Sequence, residues 1–204
     1  MTSRINSSFD SEADSDIFNE DESSQNQNTT KSKDKIQEKQ INKIINSIAE
    51  ILINISGLNN SSPAQNKLKK KYPVLFSEKI PTISLYDYIS RIQKYSFCEK
   101  NTLILSLIYI DRFCELNNFN LTNHNIHRIF FISNLIAIKY NEDLIYSNKY
   151  YSEIAGISFE EINLMENYFL KLIDFNLFVS KDEFKKYEEY LYSFEDSTAS
   201  DSDI

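Results

Sequence analysis

Apolar side chains recur at helical spacing along most of the chain. From residue 35 to about residue 55, isoleucine and leucine fall every three or four positions, which is the spacing of one helix face. This pattern predicts an amphipathic helix over 35–56. The same spacing predicts further helices through 82–192, over the segments 83–95, 96–116, 122–139, 148–155, 158–173 and 180–192. No alternating strand pattern occurs, so the expected fold class is all-α.

Two of these helices are apolar on nearly every side. They are the segment that ends at about residue 116 and the one that begins after residue 122, and such helices must lie at the centre of a bundle. Helix starts are predicted by hydroxyl caps and by capping boxes, in which Ser or Thr precedes a Glu by three positions. The expected starts are Ser96 with Glu99, Thr122, Ser158 with Glu161, and Ser180 with Glu183.

The flanking segments are polar. Residues 1–34 are rich in Ser, Asn, Asp and Glu, and they cannot bury enough apolar surface to offset the entropy of ordering, so a disordered acidic tail is expected. Residues 57–81 contain Gly57, three prolines and a lysine run, which predicts an irregular connector. Residues 193–204 are expected to form a second acidic tail.

The amino-acid composition argues against several classes of protein function, among them dinucleotide and nucleic-acid binding. The chain of 204 residues has only 2 Gly and 3 Pro, so the glycine-rich turns of dinucleotide-binding folds and P-loops are not expected. The net charge of −8 lies at the ends: residues 1–30 carry −6 and residues 195–204 carry −4, which leaves +2 for the middle. A nearly neutral middle gives little electrostatic reason for nucleic-acid binding.

The apolar stretches and the cysteines indicate the cellular compartment that we expect for the protein. The longest uncharged apolar stretches are about half of the roughly 20 residues that a membrane helix needs. Cys98 and Cys114 lie within helical patterns and no cleavable signal precedes them, which favours a reducing compartment. The expectation is a soluble protein of the nucleus or cytoplasm that binds no membrane.

No catalytic constellation is found, and an enzyme is not expected. His124 and His127 are three positions apart on one predicted helix, but no third ligand is spaced to complete a metal site. Adjacent glutamates such as Glu160 and Glu161 lie on polar helix faces, where solvated charge is the ordinary explanation. Neither a metal, a cofactor nor a small-molecule ligand is predicted.

Several short segments in this helical order resemble the cyclin box of the P-type (U-type) cyclins, the phosphate-pathway group, over residues 82–192. The resemblance rests on their order and spacing: Leu105-Ser-Leu-Ile-Tyr-Ile-Asp-Arg112, Ile126-His-Arg128, Ala137-Ile-Lys139, Tyr146-Ser-Asn148, Gly156-Ile-Ser158, Glu161-Ile-Asn163, Leu164-Met-Glu166 and Phe169-Leu170. It implies a single five-helix cyclin box, with the helix over 35–56 added before it.

The resemblance also implies a function. In this family the cyclin packs on the mobile αC helix of a cyclin-dependent protein kinase and activates the kinase, without chemistry of its own. The family's kinase-contacting Lys and Glu match Lys139 and Glu166, and Tyr140 and Leu170 would supply the apolar contact beside them. Without the resemblance, a helix-end lysine and a solvated glutamate would be the simpler interpretation.

Asp111 and Arg112 lie on an otherwise apolar helix and are interpreted as scaffold residues, because a buried charge is costly unless it is paired. By analogy with an Arg–Asp pair in other cyclins, Arg91 is a candidate partner of Asp111. The docking patch of mitotic cyclins has no clear match in the stretch from Pro81 to Tyr88. Two alternatives remain open: a cyclin-fold transcription or nucleic-acid-associated factor, and an interaction scaffold that does not activate a kinase.

Overall fold

The computed structural model describes residues 20–58 and 63–199, and this part of the chain consists of helices and their connections. The eight α-helices of these residues are α1 (Glu20–Leu58), α2 (Pro63–Lys71), α3 (Leu85–Ser96), α4 (Lys100–Asn117), α5 (Ile126–Asn141), α6 (Asn148–Ala155), α7 (Phe159–Leu172) and α8 (Lys181–Ala199). A 3₁₀ turn, Pro73–Leu75, follows α2. The all-helical fold class predicted from the sequence is confirmed. None of the described helices combines the length and apolarity needed to cross a bilayer.

The chain divides into two units, residues 1–37 and 38–204, and α1 passes from the first into the second. In the second unit α4 and α5 form the central pair. They bury ten and eleven residues respectively, on all sides of each helix, as their sequence predicts. The remaining helices surround this pair: α7 contacts both α4 and α5, α8 contacts α4, α3 contacts α5, and α6 lies between α3 and α7.

The part of α1 within the second unit packs on this bundle. Its middle turns are almost fully buried, through Ile44, Ile45, Ile48, Ala49, Ile51 and Leu52. Ile53, on the opposite face, is 48% exposed. The apolar stripe of the predicted amphipathic helix is therefore covered by the chain's own helices over most of its length.

Three predicted boundaries differ from the structure. Helix α1 begins at Glu20, inside the segment expected to be disordered, because no Gly or Pro precedes Gly57 and the intervening residues tolerate helix. Helix α8 continues to Ala199, beyond the expected end at 192. The connector 57–81 contains α2, which starts at Pro63 because proline is well suited to the first helical turn. Predictions for residues 1–19, 59–62 and 200–204 lie outside the described residues.

Two of the predicted helix starts, those of α7 and α8, are confirmed. Ser158 and Glu161 form the complete capping box of α7, and Ser180 accepts a hydrogen bond from the Glu183 amide at the start of α8. Thr122 does not cap α5. That helix begins at Ile126, after a turn in which the Asn125 side chain accepts a hydrogen bond from the Thr122 amide.

The predicted capping box of Ser96 and Glu99 is wrong. Ser96 is the last residue of α3, and the chain then turns through Phe97, whose φ of 57° lies in the left-handed region. The start of α4 is capped instead by Glu142, which follows α5. Its carboxylate accepts hydrogen bonds from the Glu99 amide at 2.9 Å and from the Thr102 hydroxyl.

The packing of α1 gives a direct test. We expect Ile48→Ala to lower the free energy of unfolding by about 2–5 kcal/mol, because Ile48 is fully buried and its loss leaves a cavity. Ile53→Ala is the matched control and should change stability by less than about 0.5 kcal/mol. Chemical denaturation of the full chain measures both. Equal effects of the two substitutions would show that α1 does not pack through this face.

Candidate functional site

The last turn of α5 and the middle of α7 meet at an ion pair. Lys139 lies in the last turn of α5, and its Nζ donates hydrogen bonds to both carboxylate oxygens of Glu166, at 2.6 and 2.8 Å. The two side chains are 29% and 21% exposed. The pair is thus neither fully solvated nor buried, and a partner molecule can reach it.

Asn148 fixes the position of the glutamate in this pair. It is the first residue of α6, and its Nδ2 donates to Glu166 Oε2 at 2.9 Å and to Asn163 Oδ1 at 2.7 Å. Three helices, α5, α6 and α7, therefore converge on one carboxylate. A carboxylate held by a cation and an amide is preorganised, because its rotamers are already restricted before any partner arrives.

Apolar side chains flank the ion pair along the chain. Tyr140 follows Lys139 and is 52% exposed, and Leu170 lies one turn beyond Glu166, half-buried against the core. In the loop after α5, Leu144 and Ile145 are also exposed. Large exposed apolar side chains beside a partly shielded ion pair are typical of a protein-binding surface.

Comparison with known proteins identifies the family. The family model described as Cyclin matches residues 11–177. Cyclin-U4-1 of Arabidopsis thaliana is 30% identical over 152 residues, which cover 74% of this chain and 75% of that protein. Cyclin-U4-3 of the same plant is 39% identical over 108 residues, covering 52% and 49%. The PHO85 cyclin-7 of Saccharomyces cerevisiae is 32% identical over 146 residues, covering 66% and 51%.

The chain belongs to the cyclin family. Cyclins are regulatory subunits and not enzymes. This agrees with the sequence analysis, which predicts no enzyme. The similarity to U-type, P-type and PHO85 cyclins confirms the subgroup that the sequence resembled. The match spans three quarters of Cyclin-U4-1 but only about half of the other two relatives.

The structure brings Lys139, Tyr140, Glu166 and Leu170 to one edge of the cyclin box, where α5 and α7 meet. The sequence, through its resemblance to the family, predicts that Lys139 and Glu166 both contact the kinase, but it does not predict that they bind each other. It also missed Asn148 as their support. Asn148 could have been identified from its position: it directly follows Ser147, the N-cap residue of the short helix α6, which lies between α5 and α7 in the sequence.

The expected pairing of Arg91 with Asp111 in the cyclin box is wrong. Arg91 is exposed and donates to the backbone carbonyl of Glu153 at 3.3 Å. Asp111 Oδ2 instead accepts a hydrogen bond from the Tyr187 hydroxyl on α8 at 2.7 Å. Local spacing does not indicate this contact, because Tyr187 lies 76 positions further along the chain than Asp111.

Arg112 connects α4 to the segment between α7 and α8. Its guanidinium donates to the backbone carbonyls of Asn176 at 2.7 Å and Phe178 at 2.9 Å, and to both carboxylate oxygens of Glu183. Tyr109 reinforces this connection by donating to the Leu177 carbonyl at 2.8 Å. Arg112 therefore makes the contacts of a scaffold residue.

The two histidines of the candidate metal pair each contact a backbone carbonyl. His124 Nδ1 lies 3.2 Å from the Ser77 oxygen, and His127 Nε2 lies 3.1 Å from the Ile83 oxygen. Burial lowers the pKa of His127 and so favours its neutral ring, while the hydrogen bond to the Ile83 carbonyl acts in the opposite direction. Both histidines fasten the segment before α3 to the start of α5. Within the described residues no cluster of three or more metal-ligand side chains occurs.

The contrast between the two arginines can be tested. We expect Arg112→Ala to destabilise the fold by roughly 1.5–3 kcal/mol, because it removes several charge-assisted hydrogen bonds from a side chain that is only 15% exposed. Arg91→Ala should change stability by less than about 0.5 kcal/mol, since Arg91 makes one long contact at the surface. Thermal unfolding compares them, and a larger effect of Arg91→Ala would contradict the assignment.

Proposed function

We propose that this cyclin binds and activates a cyclin-dependent protein kinase, and that it does so by packing its α5–α7 edge on the kinase αC helix. The observation that carries the proposal is the Lys139–Glu166 pair, held by Asn148 and flanked by Tyr140 and Leu170. The relatives include PHO85 cyclin-7, and the regulatory role of the cyclin family supports the proposal for this chain.

The proposed mechanism is positional. A protein kinase is active only when a glutamate of its αC helix pairs with the lysine that contacts the ATP phosphates. A rigid apolar surface that packs on αC shifts the kinase towards the arrangement with this pair formed. In this cyclin α5 and α7 are anchored to the buried centre, through residues such as Phe169 and Ile138, so the edge itself does not have to become ordered on binding.

The ion pair contributes selectivity in this proposal. Lys139 and Glu166 offer one donor and one acceptor group whose separation is already fixed at 2.6 Å. A kinase helix with complementary charges gains hydrogen bonds, whereas one with like charges meets repulsion in a partly desolvated site. Tyr140 and Leu170 would supply apolar contact beside the ion pair.

We also propose a place of action and a type of partner. The nucleus and the cytoplasm are the expected compartments, which is supported by two cysteines that are free in the structure. A kinase is favoured over a nucleic acid as partner, because residues 31–194 are nearly neutral.

The decisive assay mixes the full chain with a purified cyclin-dependent kinase of the PHO85 kind and measures peptide phosphorylation. We expect the wild-type chain to raise activity. Lys139→Glu and Glu166→Lys should each weaken kinase binding by about 2–5 kcal/mol, thirtyfold to several thousandfold, because one partner of an interfacial charge pair is reversed. Each single substitution should also cost up to about 1 kcal/mol of fold stability, since it places like charges together.

The double substitution Lys139→Glu with Glu166→Lys separates binding from folding. It restores an internal ion pair, so melting should return close to that of the wild type, while kinase binding should remain weak. The matched control is the same exchange in Lys185 and Glu189, an exposed pair on α8 at 3.4 Å. That control should bind and activate normally. Normal activation by the Lys139 and Glu166 exchange would refute the proposed contact.

A further inference from the structure

A pocket of about 330 Å³ lies between α1, α4 and α8, in the second unit of the chain. Its walls are mainly apolar and aromatic, and its lining residues are Ile51, Ile55, Leu107, Asp111, Lys186, Tyr187 and Tyr190. Ligand pockets typically have this size and this combination of apolar walls with a few polar groups. The pocket does not include any residue of the proposed kinase contact.

Asp111 is the acidic group of this pocket, and it has no cationic partner among the described residues. The Tyr187 hydroxyl donates to its Oδ2 at 2.7 Å, and Oδ1 accepts no hydrogen bond in the described part of the chain. Burial raises the pKa of Asp111, and the nearby Glu115 raises it further, while the bond from Tyr187 lowers it. A cation beside Oδ1 would relieve both unfavourable effects.

The other charged groups near Asp111 leave that position unfilled. Glu183 is committed to Arg112. Lys186 lines the pocket but is exposed, and it forms no ion pair within the described residues. Burial and the neighbouring Asp111 raise the pKa of Tyr187 far above its usual range, so its hydroxyl keeps its proton and remains a donor. The group that complements Oδ1 must therefore be a donor, preferably a charged one.

We propose that this pocket binds an ammonium group carried on an aliphatic stem, with the ammonium at Asp111 Oδ1 and the stem between Ile51, Ile55 and Leu107. The rings of Tyr187 and Tyr190 add favourable contact with a cation. The same chemistry occurs in a free alkylamine and in the lysine side chain of a protein. The inference is independent of the proposed kinase contact, because it rests on different helices.

The test titrates the isotope-labelled full chain with pentylammonium and follows backbone amide signals of α4 and α8 by NMR. We expect saturable shifts around Asp111 and Tyr187, and binding at least tenfold weaker for the neutral 1-pentanol and for pentanoate. Blocked lysine, with acetyl and methylamide ends, identifies the source: a site for a protein side chain binds it as well as pentylammonium, whereas a site for a free amine excludes it.

Substitutions complete the experiment. Asp111→Asn keeps the acceptor for Tyr187 and removes the charge, so it should weaken pentylammonium binding at least tenfold, while Glu115→Gln, a neighbouring charge outside the pocket lining, should change it less than about threefold. Ile55→Lys supplies an internal ammonium at the pocket edge and should abolish binding even if Asp111→Asn fails to fold. Unchanged binding in either pocket variant, or equal binding of 1-pentanol, would overturn the proposal.

Discussion

Helices α4 and α5 are apolar on nearly every side, and this constrains the whole of the second unit. An apolar face in water is unfavourable in proportion to its area, so each of these helices must be surrounded. The shell that surrounds them consists of α3, α6, α7, α8 and the later part of α1. The positions of all surface features follow from how these outer helices are fastened to the central pair.

The fastening contacts are polar and lie mostly at helix ends. Glu142, just after α5, caps the start of α4, and Arg112 on α4 holds the segment that leads into α8. Arg128 on α5 joins Glu161 in the first turn of α7 at 2.5 Å. The Arg128–Glu161 contact joins α5 to α7 directly and so helps to set the separation of Lys139 from Glu166. The residues of the proposed kinase contact are therefore held in place by the helices that pack behind them.

The sequence predicted the features that depend on neighbouring residues. The buried character of α4 and α5 is visible in their apolar residues, and the Ser158–Glu161 capping box needs only three positions of spacing. Lys139 and Glu166 could be placed at the site only through family resemblance, because their mutual bond joins residues 27 positions apart. The spacing of residues within one helix does not indicate which side chains from distant parts of the chain will be in contact.

Two of the errors have the same physical origin. Ser96 and Glu99 have the spacing of a capping box, but Glu142 reaches the start of α4 from 43 positions away and takes the cap. Analogy with other cyclins suggests Arg91 as the partner of Asp111, yet Asp111 pairs with Tyr187 on the last helix, 76 positions away. Polar runs predicted irregular chain at 57–81, where the helix-forming residues of α2 and the proline at its start favour a helix.

Hydrogen exchange tests most directly whether the α5–α7 edge is the kinase-binding surface, as we propose. The exchange of backbone amides is measured by mass spectrometry for the full chain alone and with an excess of the kinase. We expect slower exchange in residues 139–146 and 163–172 when the kinase is bound, with α8 unchanged. Slower exchange confined to α8 or α3, with the α5–α7 edge unaffected by a bound kinase, would contradict it.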